Sequence, residues 1–236
     1  MDYIFCMNRT TLVVFLLLFT GQLMASELNN SIASLERAWA AVYYQPDESQ
    51  QKQTYPMLLN EAAELVKRYP TAAEPKIWLA TIMATNAAFE SPFSALSTLE
   101  KAKTLLEDAI HLNPRALDGA AYVTLGTLYY MLPGWPVSFG DDDTAEELLK
   151  TSLKINPAGI DANYFYADFL LRQDRVAEAE IFFKKASQAP LRREQLYADT
   201  QLQNEAKLAL THTQQRKSNA DKNKFQALFT TAAIRE

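Results

Sequence analysis

Residues 161–190 read DANYFYADFLLRQDRVAEAEIFFKKASQAP, and the pattern in this stretch decides the fold. Apolar residues recur three and four apart on either side of Arg172-Gln-Asp-Arg175, which predicts two helices, Asp161 to Leu171 and Val176 to Ala189, joined by a tight turn. Tyr166-Ala167 sets a large residue beside a small one in the first helix. Ala179 and Ala186, seven apart, put small residues on one face of the second, and Pro190 closes the unit. Small side chains let paired helices approach closely, and neighbouring aromatics fill the gaps.

The same plan extends upstream. Ala102 lies 12 residues before Pro114, Ala145 lies 12 before Pro157, and Ala179 lies 11 before Pro190. Leu79-Ala80 and Leu125-Gly126 occupy the place of Tyr166-Ala167. The second pair is expected to begin near Glu74, with its partner helix from Pro92 to Leu112 behind a Ser91 cap. The third pair is Ala120 to Tyr130 and Thr144 to Ile155. Before them, helices over Glu27–Tyr44 and from Pro56 to Tyr69 form a first pair without the alanine pattern. After them, a last helix covers Arg192 to Leu210, Thr211 to Lys224 is a polar mobile stretch, and Phe225 to Ile234 is a candidate short amphipathic helix. The expected fold is all-α, a right-handed solenoid of three to four helix pairs plus a C-terminal helix, spanning residues 27–210 and followed by a tail at 211–236.

These units resemble tetratricopeptide repeats through Tyr166-Ala167, Ala179, Phe183, Ala186 and Pro190 in the fourth pair. The third pair matches through Leu125-Gly126, Tyr129, Ala145 and Pro157, with Ser152 where the second alanine falls, and the second matches through Leu79-Ala80, Ala102, Ala109 and Pro114. Repeats of this family run to about 34 residues. Here Pro157 to Pro190 is 33, whereas Pro70 to Pro114 is 44 and Pro114 to Pro157 is 43, so the earlier units carry insertions between their helices. One insertion, Leu132-Pro-Gly-Trp-Pro-Val-Ser-Phe-Gly-Asp-Asp-Asp143, followed by the Ala145 helix and Asn156-Pro157, looks like the T component associated with tripartite periplasmic solute transporters. That resemblance implies an exported helical-repeat protein assisting a solute-binding partner. The repeat family implies a binding or scaffolding role.

Composition agrees with a helical binder. Of 236 residues, 48% are apolar and only six are glycine, which suits helices around a continuous core. A net charge of −5 argues against nucleic acid as a partner. Arg9, the apolar run Thr11–Phe19 and small residues up to Ala25-Ser26 read as a signal peptide over residues 1–25, placing the chain in the periplasm. The alternative is a retained anchor, although a spanning helix needs about 20 apolar residues and this run is shorter. Cleavage would leave no stable membrane span. Cys6 precedes the run, so it is not placed for lipid attachment, and the mature chain would hold no cysteine.

Several residues are candidates for binding. The first helices of the pairs are expected to line a concave face with Ile77, Thr81 and Ala84, then Val123, Thr127 and Tyr130, then Tyr164, Asp168 and Leu171. That lining is mostly apolar with scattered hydroxyls, fit for a hydrophobic helix, an extended peptide or an apolar small molecule, unless the register places these residues in the core. Trp135 and Phe139 sit between Pro133, Gly134, Pro136 and Gly140. They either anchor a partner or wedge between the helices of the third pair, and the size of the indole favours the wedge. Asp141-Asp142-Asp143 fits helix capping better than metal binding, with Asp143 as N-cap and Glu146 its reciprocal partner. The Tyr164-Phe165-Tyr166 stripe with Phe169 reads as core. His111 and His212 belong to no catalytic set, and neither an enzyme nor a cofactor is expected.

Overall fold

In a computed structural model, the small residues behave as their spacing requires. Ala80, Ala102, Ala109, Ala145, Ala167, Ala179 and Ala186 are all 0% exposed. Gly126 shows why: a Cβ there would lie 2.9 Å from Leu149 Cγ and 3.3 Å from the Ala145 carbonyl oxygen across the pair. Ser152, standing where an alanine is expected, is fully buried and donates its hydroxyl to the Leu149 carbonyl at 2.7 Å. Burial without such a partner would cost about 1–3 kcal/mol.

The structure describes the backbone of residues 9–233 and the side chains of residues 26–216. The α-helices among them are α1 (Arg9–Tyr43), α2 (Glu48–Arg68), α3 (Ala73–Asn86), α4 (Pro92–Leu112), α5 (Ala120–Met131), α6 (Asp142–Ile155), α7 (Ile160–Arg172), α8 (Val176–Gln188) and α9 (Leu196–Ala233). They form an all-α helical solenoid. α1, α3, α5 and α7 each pack with the even-numbered helix that follows, and α9 packs on α8. The odd-numbered helices also pack on one another in series, whereas the even-numbered ones lie chiefly against their odd-numbered neighbours. The result is an inner row of α1, α3, α5, α7 and α9 and an outer row of α2, α4, α6 and α8. Burial follows: α3 has no exposed residue, and in α5 and α7 only the last residue is exposed.

Local chemistry sets most boundaries. Ser91 precedes Pro92 at the first position of α4. Asp174, at φ 58°, turns the chain between α7 and α8. Gly119, at φ 82°, starts α5, and a Cβ there would press on Ile155 at 3.0 Å. Three expectations need correction. The second helix begins at Glu48, not Pro56, because Asp47 accepts bonds from the Ser49 and Gln50 amides and caps it; Pro56 lies inside, on an exposed face. The N-cap of α6 is Asp141, whose carboxylate accepts from the Thr144 amide at 2.7 Å, so Asp143 lies in the first turn. Finally, α9 does not stop at Leu210. Thr213 is buried, and Arg216 pairs with Asp174 at 2.6 Å, holding the helix onto the α7–α8 turn.

The signal-peptide expectation falls on residues 1–25, whose first eight residues and whose side chains lie outside the described residues. Among the described residues, no helix is long and apolar enough to cross a membrane.

Candidate interaction site

The inner row closes on itself. Packing runs α1 to α3, α3 to α5, α5 to α7 and α7 to α9, and α9 returns against α1. At that seam Tyr44 meets Tyr197 edge-on, ring centroids 6.1 Å apart. Arg192, just before α9, donates to Asp161 of α7 at 2.8 Å and to Asp199 of α9 at 2.6 Å. Glu36 of α1 is buried beside them, 3% exposed. Burial is the main cause that raises its carboxyl from 4.5 to about 7; Arg192 opposes the rise, and Asp199 and Asp161 add to it. Tyr43, Tyr44, Tyr164 and Glu205 lie near one another along the same seam, and burial raises all four above their ordinary ranges. The concave face is therefore walled by both ends of the array and is not an open trough.

This closure places the expected lining residues. Ile77 and Val123 are buried, 2% and 6% exposed, and belong to the core. The expected helical period holds, but the register is rotated: these side chains point at neighbouring helices. Thr81 and Thr127 are half-buried, and each donates its hydroxyl one turn back, to the Ile77 and Val123 carbonyls at 2.9 and 2.8 Å. Tyr130 and Asp168 are brought together: the Tyr130 hydroxyl donates to Asp168 Oδ2 at 2.8 Å, and Arg172 donates to the same oxygen at 3.1 Å while covering the Tyr130 ring. Burial, and then the Asp168 charge, push the Tyr130 hydroxyl far up, so it stays a donor. Tyr164 packs on Phe183, ring centroids 5.7 Å apart, and Leu171 packs against the same core cluster. Tyr166 and Phe169 are buried, as the aromatic stripe implied.

The 132–143 loop separates its two aromatics. Phe139 turns inward, with its ring 5.2 Å from Tyr129 and 4.9 Å from the Lys103 ammonium. Trp135 turns outward and is 90% exposed, contrary to the expected wedge. The reason lies in the backbone. Gly140 donates to the Pro133 carbonyl at 3.0 Å and Asp141 to the Tyr129 carbonyl at 3.0 Å, closing the loop at its base. The Val137 and Ser138 amides both reach back to the Gly134 carbonyl, at 3.1 and 3.3 Å. A Cβ on Gly140 would collide with the Leu132 carbonyl oxygen, so only glycine closes this base. The tip between Pro133 and Pro136 is thus held away from the helices, and Val137 beside it is also exposed.

Two features escaped the sequence. Glu146, expected as a capping partner, instead accepts from Arg175 at 2.7 Å, Lys150 at 2.8 Å and the Tyr166 hydroxyl at 3.1 Å, joining the third and fourth units. The Arg175 bond, then that of Lys150, lowers its carboxyl to about 2. Phe93 is 89% exposed. Its signal was present: an aromatic next to a proline at an inserted connection, Phe93 after Pro92 as Trp135 is before Pro136.

The tetratricopeptide repeat family matches residues 138–199. That match runs from the end of the 132–143 loop through α6, α7 and α8 to the first residues of α9. Among solved structures, a thermophilic TPR protein of Thermus thermophilus aligns at a TM-score of 0.53 and 22% identity, covering 80% of this chain and 95% of that one. Yeast Tom70 aligns at a TM-score of 0.44 and 22% identity, covering 71% of this chain and 31% of that one. No curated protein matches the chain in sequence. Residues 138–199 thus match the tetratricopeptide repeat family, and the Thermus structure shares the all-α fold.

Proposed function

We propose that this chain is a non-enzymatic scaffold that binds a protein partner, with the Pro133–Gly140 loop as its anchor. The observation that carries this is Trp135, 90% exposed on a loop closed by backbone hydrogen bonds at its base. An indole buries roughly 200 Å² on contact, worth up to about 5 kcal/mol at 25 cal/mol per Å². A loop held in place loses little freedom when it docks. The helix-repeat fold supports the same role, since such arrays present extended surfaces. A photo-crosslinking residue at position 135 tests the proposal in cells. A discrete adduct with one other protein is expected, absent when the same group replaces the outer-row Ile181. Equal or no adduct at both positions refutes it.

The proposal includes export to the periplasm, supported by the Arg9 to Ser26 segment; a mature chain beginning at Ser26 by mass spectrometry is the expected product. A second reading is an accessory of a periplasmic solute transporter, with a solute-binding protein as partner and an apolar small molecule held inside. It is favoured by the likeness of the 132–143 loop to the T component and by the closed inner row. Native mass spectra showing only the bare chain would sink it.

A further inference from the structure

Two connections leave the C-terminal ends of neighbouring inner helices and so emerge at one edge of the array: residues 87–91 after α3, leading into Phe93 of α4, and residues 132–141 after α5. Both rest on one core cluster. Leu132 and Phe139 pack on the core cluster that contains Leu99, and Ala95 packs on it too, two residues beyond Phe93. The edge therefore displays two aromatics, Phe93 at 89% and Trp135 at 90% exposure, each braced by an adjacent proline.

The two connections themselves carry only acidic charge. No Lys or Arg occurs between Lys76 and Lys101, nor between Arg115 and Lys150. Glu90 accepts from Asn86, Ser94 and Thr98 at 2.9, 2.7 and 2.8 Å, all neutral donors that orient its carboxylate without cancelling its charge. Asp142 and Asp143 are exposed in the first turn of α6, directly after the loop. The cations of the flanking helices are already engaged: Lys103 lies over the Phe139 ring and 3.9 Å from Glu107, Arg172 pairs with Asp168, and Arg175 pairs with Glu146 and Glu178.

We infer that this edge takes a cationic, apolar polypeptide segment of the partner, with Trp135 and Phe93 contacting its apolar side chains and Glu90, Asp142 and Asp143 facing its Lys and Arg. The inference rests on the protein-binding reading and names the chemistry of what is bound. An acidic surface of this kind repels anionic lipid and nucleic acid. It also strengthens the affinity of the Trp135 face for ammonium and guanidinium groups, because the carboxylates and the ring quadrupole attract the same cations.

The test uses the full chain and two fluorescent synthetic amphipathic helices with the same Leu/Trp face, one bearing Lys and the other Glu on its polar face. Anisotropy is expected to show binding of the Lys peptide only. That binding should weaken about tenfold or more in Trp135→Ala and in the Asp142→Asn/Asp143→Asn double variant, and fall as salt rises from about 50 to 300 mM. Circular dichroism of each variant establishes that it is folded, and Glu90→Gln provides an independent charge deletion on the other connection, outside α6. Lys-peptide binding indifferent to all of these substitutions overturns the inference. Equal binding of the Glu peptide, lost in Trp135→Ala, also overturns it while leaving the protein-binding reading standing. A failed crosslink at position 135 would remove that reading itself.

Discussion

Glu36→Gln removes the one carboxyl that α1 buries in the seam with α9, and its effect on stability should depend on pH in a defined way. The folded chain holds the Glu36 proton until about pH 7, against an ordinary value of 4.5. A carboxyl raised in this way contributes its stability fully below 4.5 and loses it as pH climbs through the folded value. The gap between 4.5 and about 7, at about 1.4 kcal/mol per pH unit, is about 3 kcal/mol. The groups facing Glu36 account for the direction. Beyond burial itself, Asp199 of α9 and Asp161 of α7 resist a third negative charge, while Arg192 and the adjacent Arg37 favour it. Arg192 is already committed to both aspartates. Urea denaturation at pH 5, 6, 7 and 8 is the assay. Wild type should lose about 2–3 kcal/mol between pH 5 and 8 from this group. The difference between wild type and Glu36→Gln isolates it from Glu205, which is also raised by burial. Identical pH slopes in the two proteins would refute the reasoning and the closed seam with it.

Four other outcomes are expected. Phe169→Ala should cost about 3–5 kcal/mol in denaturant titration, because Phe169 is 2% exposed between Tyr130 and Tyr166; Trp135→Ala, at a site 90% exposed, should change stability by less than about 0.5 kcal/mol. Gly140→Ala should destabilise by about 1–3 kcal/mol and speed proteolysis within residues 133–140, since its Cβ would lie 2.7 Å from the Leu132 carbonyl carbon and 2.8 Å from that of Pro133. Glu146 titrates the other way from Glu36: its carboxyl is lowered from 4.5 to about 2, so its stability is present above 4.5 and lost as pH falls toward 2. Glu146→Gln should therefore flatten the acid limb of thermal melts by about 1–3 kcal/mol.

Much of the array was legible because its determinants are local. Ala102, Ala145 and Ala179 recur 12, 12 and 11 residues before prolines, and each is fully buried as that spacing demands. The Pro92–Leu112 helix was readable to the residue from Ser91-Pro92 and Asn113-Pro114. The missed start of α2 was also local: Asp47 caps it, and an interior Pro56 on an exposed face is tolerated at the loss of one hydrogen bond. The site was harder. An apolar period tells which residues share a face, but in α5, with apolar residues nearly all round, no face is polar enough to mark the groove. Val123 was misplaced for that reason, and Ile77 for the same reason in α3.

The sequence by itself determined an all-α array, its helix pairs, the small residues that seat them and the insertions that lengthen two units. Each of these depends on neighbours within about 30 residues, where composition and spacing carry the physical constraint. Only the tertiary structure decided that the inner row closes, with Glu36 buried against Arg192 and Asp199 more than 150 positions away. Closure is the sum of small rotations at every helix contact, and no single stretch encodes that sum. Only the tertiary structure, likewise, turned Trp135 outward, because the backbone bonds that hold its loop join Tyr129, Pro133, Gly134 and Gly140 in a geometry that side-chain hydrophobicity does not report.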